Sequence, residues 1–418
     1  MIEIREKTRL RENYRKVYFL NASWTFLVLM PVIIPYFKGV GLSMGDVFRL
    51  QALYALMVIF FEIPSGYLSD IFGRKLILIL SGVLHGIGFS LYPFADSFLT
   101  LAIIQSINAV AMSLMSGTDI SLLYDTHFAL KEKGSMGRNL LAKQIFYSQL
   151  SEGLAGLLCA FLLLFGSLSL IVNTQAVLGW FPFFVSLTLC EPPRRKLEKS
   201  KTLENIKGMI QVLCKSSRIL LLIVFNGIIY SAATWLAVWT YQDFWQKLGI
   251  PLPVFGILWA ITNLVVGLFG RLAVKIESFL GIRKTLLLIS FLPIIGYGGM
   301  SFFSYHYSQT PLLAFTFGGL FSCLCLQANR GLGHVIFRDA FNARTSSSIR
   351  ATANSFLALG SRFLFIFWGP ALGMMIDYYG HTVAYGVMAF VYIVNIFFFF
   401  SPLLGEGQKL AYREESSS

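Results

Sequence analysis

The chain has 418 residues, 56% hydrophobic and 13% charged, with 34 Lys and Arg against 21 Asp and Glu, a formal net charge of +13 and a mean hydropathy of +0.67. A soluble fold of this length would leave too much apolar surface uncovered, so the composition excludes a water-soluble globular protein and calls for lipid. The positive charge is spread over short polar breaks with no nucleic-acid-binding motif beside it, which excludes a nucleic-acid partner.

Apolar runs close to the ~20 residues that a helix needs to cross about 30 Å of hydrocarbon recur along the whole chain. They fall at 16–37, 49–69, 76–94, 98–124, 143–166 and 168–189, then at 218–242, 253–275, 285–304, 311–337, 350–376 and 381–402. The pattern predicts an all-α membrane protein of twelve transmembrane helices in two six-helix pseudo-repeats. An N-terminal bundle covers 1–190, a charged cytoplasmic loop 191–217 and a C-terminal bundle 218–418.

Lys and Arg gather in the N-terminal tail, in every even-numbered break and in the C-terminal tail, with eight in the central loop from Arg194 to Arg218. The positive-inside rule then places both termini in the cytoplasm of a multi-pass inner-membrane protein, with the first apolar run as an uncleaved anchor. The cysteines Cys159, Cys190, Cys214, Cys323 and Cys325 match no metal or redox spacing, so neither metal nor cofactor is expected. There is no nucleotide-binding glycine loop, no zinc helix and no loop long enough for a catalytic domain, so the chain is not expected to be an enzyme.

After the second run, Gly66-Tyr67-Leu68-Ser69-Asp70-Ile71-Phe72-Gly73-Arg74-Lys75 resembles the signature loop of the major facilitator superfamily, G-x-L-x-D-x-x-G-R-K. The preceding Phe61-Glu62-Ile63-Pro64-Ser65 is similar to the "E-I-P-T-G" variant of a bacterial group of small-molecule and drug efflux-like proteins. Ser116 to Asp119, Leu123 to Asp125 and the 342–352 stretch are similar to the same group. The second half echoes the motif at Gly270-Arg271-Leu272 and Gly281-Ile282-Arg283-Lys284, with Val274 in the place of Asp70. Gln105 and Asn108 stand where many proton-coupled antiporters carry an arginine.

This resemblance implies the major facilitator fold and a monomeric secondary active transporter in contact with membrane lipid. It would move a small organic molecule by alternating access, with protons as the coupling ion and export as the direction. Import or uniport of an anionic metabolite, peptide or siderophore, and a facilitator-fold sensor that binds ligand without turnover, are the alternatives.

A loop this short brings Asp70 and Arg74 within reach of each other. In related proteins the arginine also meets an acid ending the fourth span, a position Asp125 occupies. Gly66, Asp70, Gly73, Arg74, Lys75 and Asp125 are therefore the expected conformational latch, with Gly66 permitting a close helix approach and Gly73 a tight turn.

Ionisable groups within spans are costly and mark function or pairing. Glu62, Asp119, Glu152 and Arg362 are the candidates for proton coupling or substrate contact, and a Glu62 to Arg362 pair is expected to join the two halves. Cavity candidates are Asn21, Trp24, Gln105, Asn108, Asn226, Tyr230, Trp235, Gln327 and Asn329, drawn from the first, fourth, seventh and tenth spans.

Overall fold

The computed structural model describes residues 2–130, 136–193, 218–343 and 350–405. Residues 194–217 of the expected 191–217 loop and most of the 342–352 similarity lie outside those residues. Helices account for all the regular structure among the described residues, because a backbone in hydrocarbon must satisfy its polar groups within its own segment.

In chain order the helices are α1 Ile2–Thr25, α2 Ile33–Gly39, α3 Met44–Phe72, α4 Arg74–Leu91, α5 Phe98–Met115, α6 Thr118–Ala129, α7 Met136–Leu163, α8 Leu168–Leu178 and α9 Phe181–Leu187. They continue as α10 Arg218–Lys247, α11 Leu252–Leu280, α12 Ile282–Gln309, α13 Leu313–Ala343 and α14 Arg350–Asn395. Among the described residues, ten segments are long and apolar enough to cross a membrane, the last of them Leu359–Gly405. That last segment holds two passes, because Gly380 at φ 77°, ψ 171° separates two helical arms. With α13, whose Gln327, Asn329 and Arg330 lower its hydropathy, the passes number twelve.

Three passes expected as single helices are interrupted. The first breaks between α1 and α2, ahead of Pro31, and the amides of Val28 and Leu29, left past the end of α1 without carbonyls of the helix to bond, donate to Gln175 Oε1 at 2.6 and 3.4 Å. The fourth breaks at Gly117 between α5 and α6. The sixth breaks between α8 and α9, just ahead of Pro182.

The helices group into two compact units. Unit 1 comprises Met1–Leu42, Arg49–Ser200 and Pro251–Asn263, and unit 2 comprises Ser43–Phe48, Lys201–Ile250 and Leu264–Ser418. In unit 1, Val17, Leu20, Leu78, Met115, Leu122, Leu123, Val185 and Leu189 form a buried cluster that ties α1, α4, α5, α6 and α9 together. The approach of α4 to α9 is close enough that a Cβ on Gly82 would stand 2.6 Å from the Cα of Phe183. Small residues at such crossings supply the van der Waals packing that holds helices together where lipid removes the hydrophobic driving force.

Unit 2 has an aromatic core. Tyr297 and Tyr392 stack at 5.9 Å and 8°, and Tyr230 stacks on Phe337 at 5.9 Å. Their buried hydroxyls need acceptors. Tyr297 donates to the Ala233 carbonyl at 2.6 Å, Tyr392 to that of Ile229 at 3.1 Å, and Tyr241 to that of Cys323 at 3.1 Å.

Candidate functional site

Unit 1 carries two polar clusters. The first forms where α3 gives way to α4. Gly73 adopts φ 107°, a region that costs an L side chain, and so reverses the chain in a single residue. The turn places Arg74 at the start of α4, one helical turn from Asp70 at the end of α3. Arg74 Nη1 lies 2.7 Å from Asp70 Oδ1 and also donates to Ser69 Oγ at 2.8 Å, while Nε reaches Asp125 Oδ2 on α6 at 3.2 Å. The guanidinium is almost fully buried, with side-chain exposure of 9%, whereas Asp70 and Asp125 are about one third exposed. A planar fork of donors serving three oxygens is the geometry for which arginine is suited and lysine is not.

A residue that the sequence reading passed over completes this cluster. Gly73 offers α4 no side-chain cap, so the first amides of the helix need acceptors from elsewhere. Glu191, just past the sixth pass, supplies both: Oε1 accepts from Arg74 N at 3.0 Å and Oε2 from Lys75 N at 2.7 Å. Its negative charge at a helix N-terminus is favoured by the helix dipole as well. Gly66 lies on the exposed side of α3, and a Cβ there would meet nothing within 4 Å.

The second cluster lies at the break in the fourth pass. Gly117 is left-handed at φ 80°, and α6 restarts at Thr118, which puts Asp119 in its first turn. Asp119 is 5% exposed, and its Oδ2 accepts from Asn21 Nδ2 of α1 at 2.7 Å and from Gln144 Nε2 of α7. Both donors are neutral amides, so three helices meet on one carboxyl whose charge is answered by dipoles. Hydroxyls extend the seam between α1 and α7. Thr25 Oγ1 lies 3.3 Å from the Ser148 carbonyl, and Ser151 Oγ donates to that of Ala22. Gln144 had no distinguishing mark in the sequence; Asn21 and Asp119 had.

The other predicted residues are dispersed. Glu62 is half-buried on α3 two residues before Pro64, and its carbonyl accepts from Ser65 Oγ at 2.9 Å. Glu152 on α7 and Arg362 on α14 are also half-buried. In unit 1, Trp24 packs on His85 with ring centroids 4.2 Å apart, and Gln105 and Asn108 are buried on α5. In unit 2, Asn329 Nδ2 donates to the Tyr230 carbonyl at 3.2 Å, Asn226 donates to that of Leu222, Gln327 is buried, and Trp235 is 39% exposed.

Unit 2 adds two acids that the sequence reading missed. Asp243 Oδ2 and His381 Nε2 are 2.9 Å apart, with Asp243 almost wholly buried. Asp377 caps the start of α3, accepting from Met44 N at 2.9 Å and Gly45 N at 2.6 Å. Among the described residues, no group of three or more His, Cys, Asp or Glu is arranged to hold a metal ion.

Known proteins give this arrangement its context. No curated protein sequence matches the chain. In fold it is similar to a mutant form of the nucleoside transporter NupG, with a TM-score of 0.76 at 13% identity over 94% of this chain and 99% of that one. It is similar to a D-xylose-proton symporter with a TM-score of 0.69 at 15% identity over 94% and 97% of the two chains. A third likeness, at 0.68, 15% and 96% of each chain, is to a bacterial homolog of the human lysosomal transporter Spinster in an inward-facing, unoccupied conformation. The sequence profile of the Major Facilitator Superfamily matches residues 17–342, a span that takes in the Gly73 turn, the Arg74 cluster and the broken fourth pass. With twelve passes and that match, the chain is a multi-pass membrane protein that belongs to the Major Facilitator Superfamily.

Proposed function

We propose that this facilitator is a secondary active transporter that exports a small organic molecule across the inner membrane in exchange for protons, with both termini in the cytoplasm. The observation that carries the reading is the Asp119 carboxyl, held by Asn21 and Gln144 at a break in the fourth pass. A carboxyl met by neutral amides can take up or release a proton without first breaking an ion pair, and discontinuous helices are where transporters of several folds place their ligand and ion sites. Proton exchange at Asp119 would alter its bonds to α1 and α7 and so bias the helices around it.

The Arg74 cluster is the latch in this scheme, because its charges join the ends of α3, α4 and α6 and would hold one conformation until they part. Glu62 in unit 1 and Arg362 in unit 2 are further candidates for proton coupling, with Glu152 as a further acid on α7. The Phe61 to Ser65 similarity to efflux-like proteins supports export. A half-buried Arg362 favours a second reading, uptake of an organic anion.

The test is proton movement in liposomes containing the purified protein, challenged with cationic drugs, organic anions and siderophores. Asp119→Asn is isosteric, cannot titrate and keeps one acceptor oxygen for Asn21 and Gln144, so it is expected to fold and bind substrate while losing substrate-dependent proton flux by at least an order of magnitude. Wild-type flux in Asp119→Asn would remove Asp119 from the coupling path, and loss in Glu62→Gln or Arg362→Ala instead would move the role to the residue whose variant loses it.

A further inference from the structure

A surface groove of about 350 Å³ in unit 1 lies between α1 and α9, lined by Arg15, Lys16, Phe19, Phe184, Val185 and Thr188. Its polarity is ordered. Arg15 and Lys16 stand at the start of the first pass and Thr188 at the end of the sixth, and an even number of crossings brings both to the same membrane boundary. Phe19 is one turn beyond Arg15 and Phe184 one turn before Thr188, so both aromatics lie one turn deeper in the bilayer. Phe19 is 61% and Phe184 58% exposed, while Val185 forms part of the groove floor.

Cations and a hydroxyl at the boundary with apolar rings beneath match, in order and spacing, a phosphate headgroup above the first carbons of an acyl chain. The boundary is also the one that the Lys and Arg distribution assigns to the cytoplasm, where anionic lipids are attracted to basic clusters. Lys16 is bonded to Glu12 at 2.8 Å, whereas Arg15 feels the same carboxylate only through space, so Arg15, with its forked guanidinium, is the main phosphate contact.

We propose that this groove is a binding site for one anionic phospholipid, its phosphate held by Arg15 and Lys16 and an acyl chain lying along Phe19 and Phe184. The site is separate from the Arg74 and Asp119 clusters and does not depend on what the protein carries. Zwitterionic lipid also fits the apolar part, so preference for negative charge is the property that identifies the site.

Native mass spectrometry of protein taken from phosphatidylcholine vesicles containing a minor fraction of phosphatidylglycerol reads that preference. Wild type is expected to retain one phosphatidylglycerol with enrichment over the bulk lipid on the order of tenfold. Arg15→Gln/Lys16→Gln should fall toward the bulk ratio, Arg15→Lys/Lys16→Arg should keep most of the enrichment, and Arg271→Gln/Lys275→Gln, which removes equal charge from exposed positions on α11, should match wild type. Enrichment that survives in Arg15→Gln/Lys16→Gln, or that falls equally in the α11 variant, overturns the proposal. Phe19→Trp retains every charge and gives an independent reading. Its added fluorescence should be quenched more by acyl-brominated phosphatidylglycerol than by acyl-brominated phosphatidylcholine at equal mole fraction, and equal quenching would count against the site.

Discussion

Glu191 is the residue whose removal tests the Arg74 cluster most cleanly, because it touches the backbone and leaves the guanidinium and its acids in place. In Glu191→Ala the amides of Arg74 and Lys75 lose acceptors at 3.0 and 2.7 Å, and Gly73 has no side chain to replace them. Loss of an N-terminal cap costs about 1 kcal/mol, and loss of a negative charge at a helix start adds roughly 0.3–1 kcal/mol. Together they come to about 1.3–2 kcal/mol, or roughly a ten- to thirtyfold change in the equilibrium for opening the first turn of α4. Amide hydrogen exchange reads that opening directly. Protection at Ile77, whose amide donates to the Gly73 carbonyl at 3.2 Å, is expected to fall roughly ten- to thirtyfold in Glu191→Ala, and by about the square root of that in Glu191→Gln, which keeps one acceptor oxygen and no charge. The middle of α4, around Gly82 to Phe89, should be unaffected. Unchanged protection at the first turn in Glu191→Ala would refute the capping role and leave Glu191 as a loop residue with an incidental contact.

Gly82→Ala should lower thermal stability in detergent. Its Cβ would meet the Phe183 backbone at 2.6 and 2.7 Å, a displacement that costs roughly 1–3 kcal/mol and outweighs the gain in helix propensity. Gly153→Ala is the matched control, since nothing lies within 4 Å of its Cβ, and it should be neutral or stabilising by up to about 1 kcal/mol. Gly117→Ala should cost about 1–2 kcal/mol because the left-handed break at φ 80° disfavours a Cβ. By shifting the first turn of α6, Gly117→Ala should also reduce substrate-driven proton flux; full flux at reduced stability would separate the break from Asp119.

What the sequence could and could not reveal divides along one physical line. Spans are local: each needs a run of apolar residues and little else, so all twelve were visible, including the two that meet at Gly380 within one long helix. The turn at Gly73 is local as well, and the short connection it makes was enough to bring Asp70 and Arg74 together. Breaks inside spans left a fainter trace. Ser116-Gly117-Thr118 is a turn-like triplet within an apolar run, yet hydropathy alone reads through it, and the same holds for Pro31 and Pro182.

Partners that arrive from distant helices left no local trace. Glu191 is separated from Arg74 by 117 residues, Gln144 from Asp119 by 25, and Asp377 from Met44 by 333. Each of these side chains looks in sequence like a loop acid or one more polar residue at the edge of a span. What they share is a demand set elsewhere: two amides at the start of α4, two at the start of α3 and one carboxyl at the start of α6. The carboxyl at the start of α6 lies inside a pass, where protein rather than water must answer it. An accounting of helix starts would have found one of these partners, Glu191. α4 begins after Gly73 without a side-chain cap of its own, so its first amides require acceptors and the acids nearest the ends of other passes are the first place to look, whereas α3 already has Ser43 Oγ accepting from Asp46 N and gains Asp377 in addition.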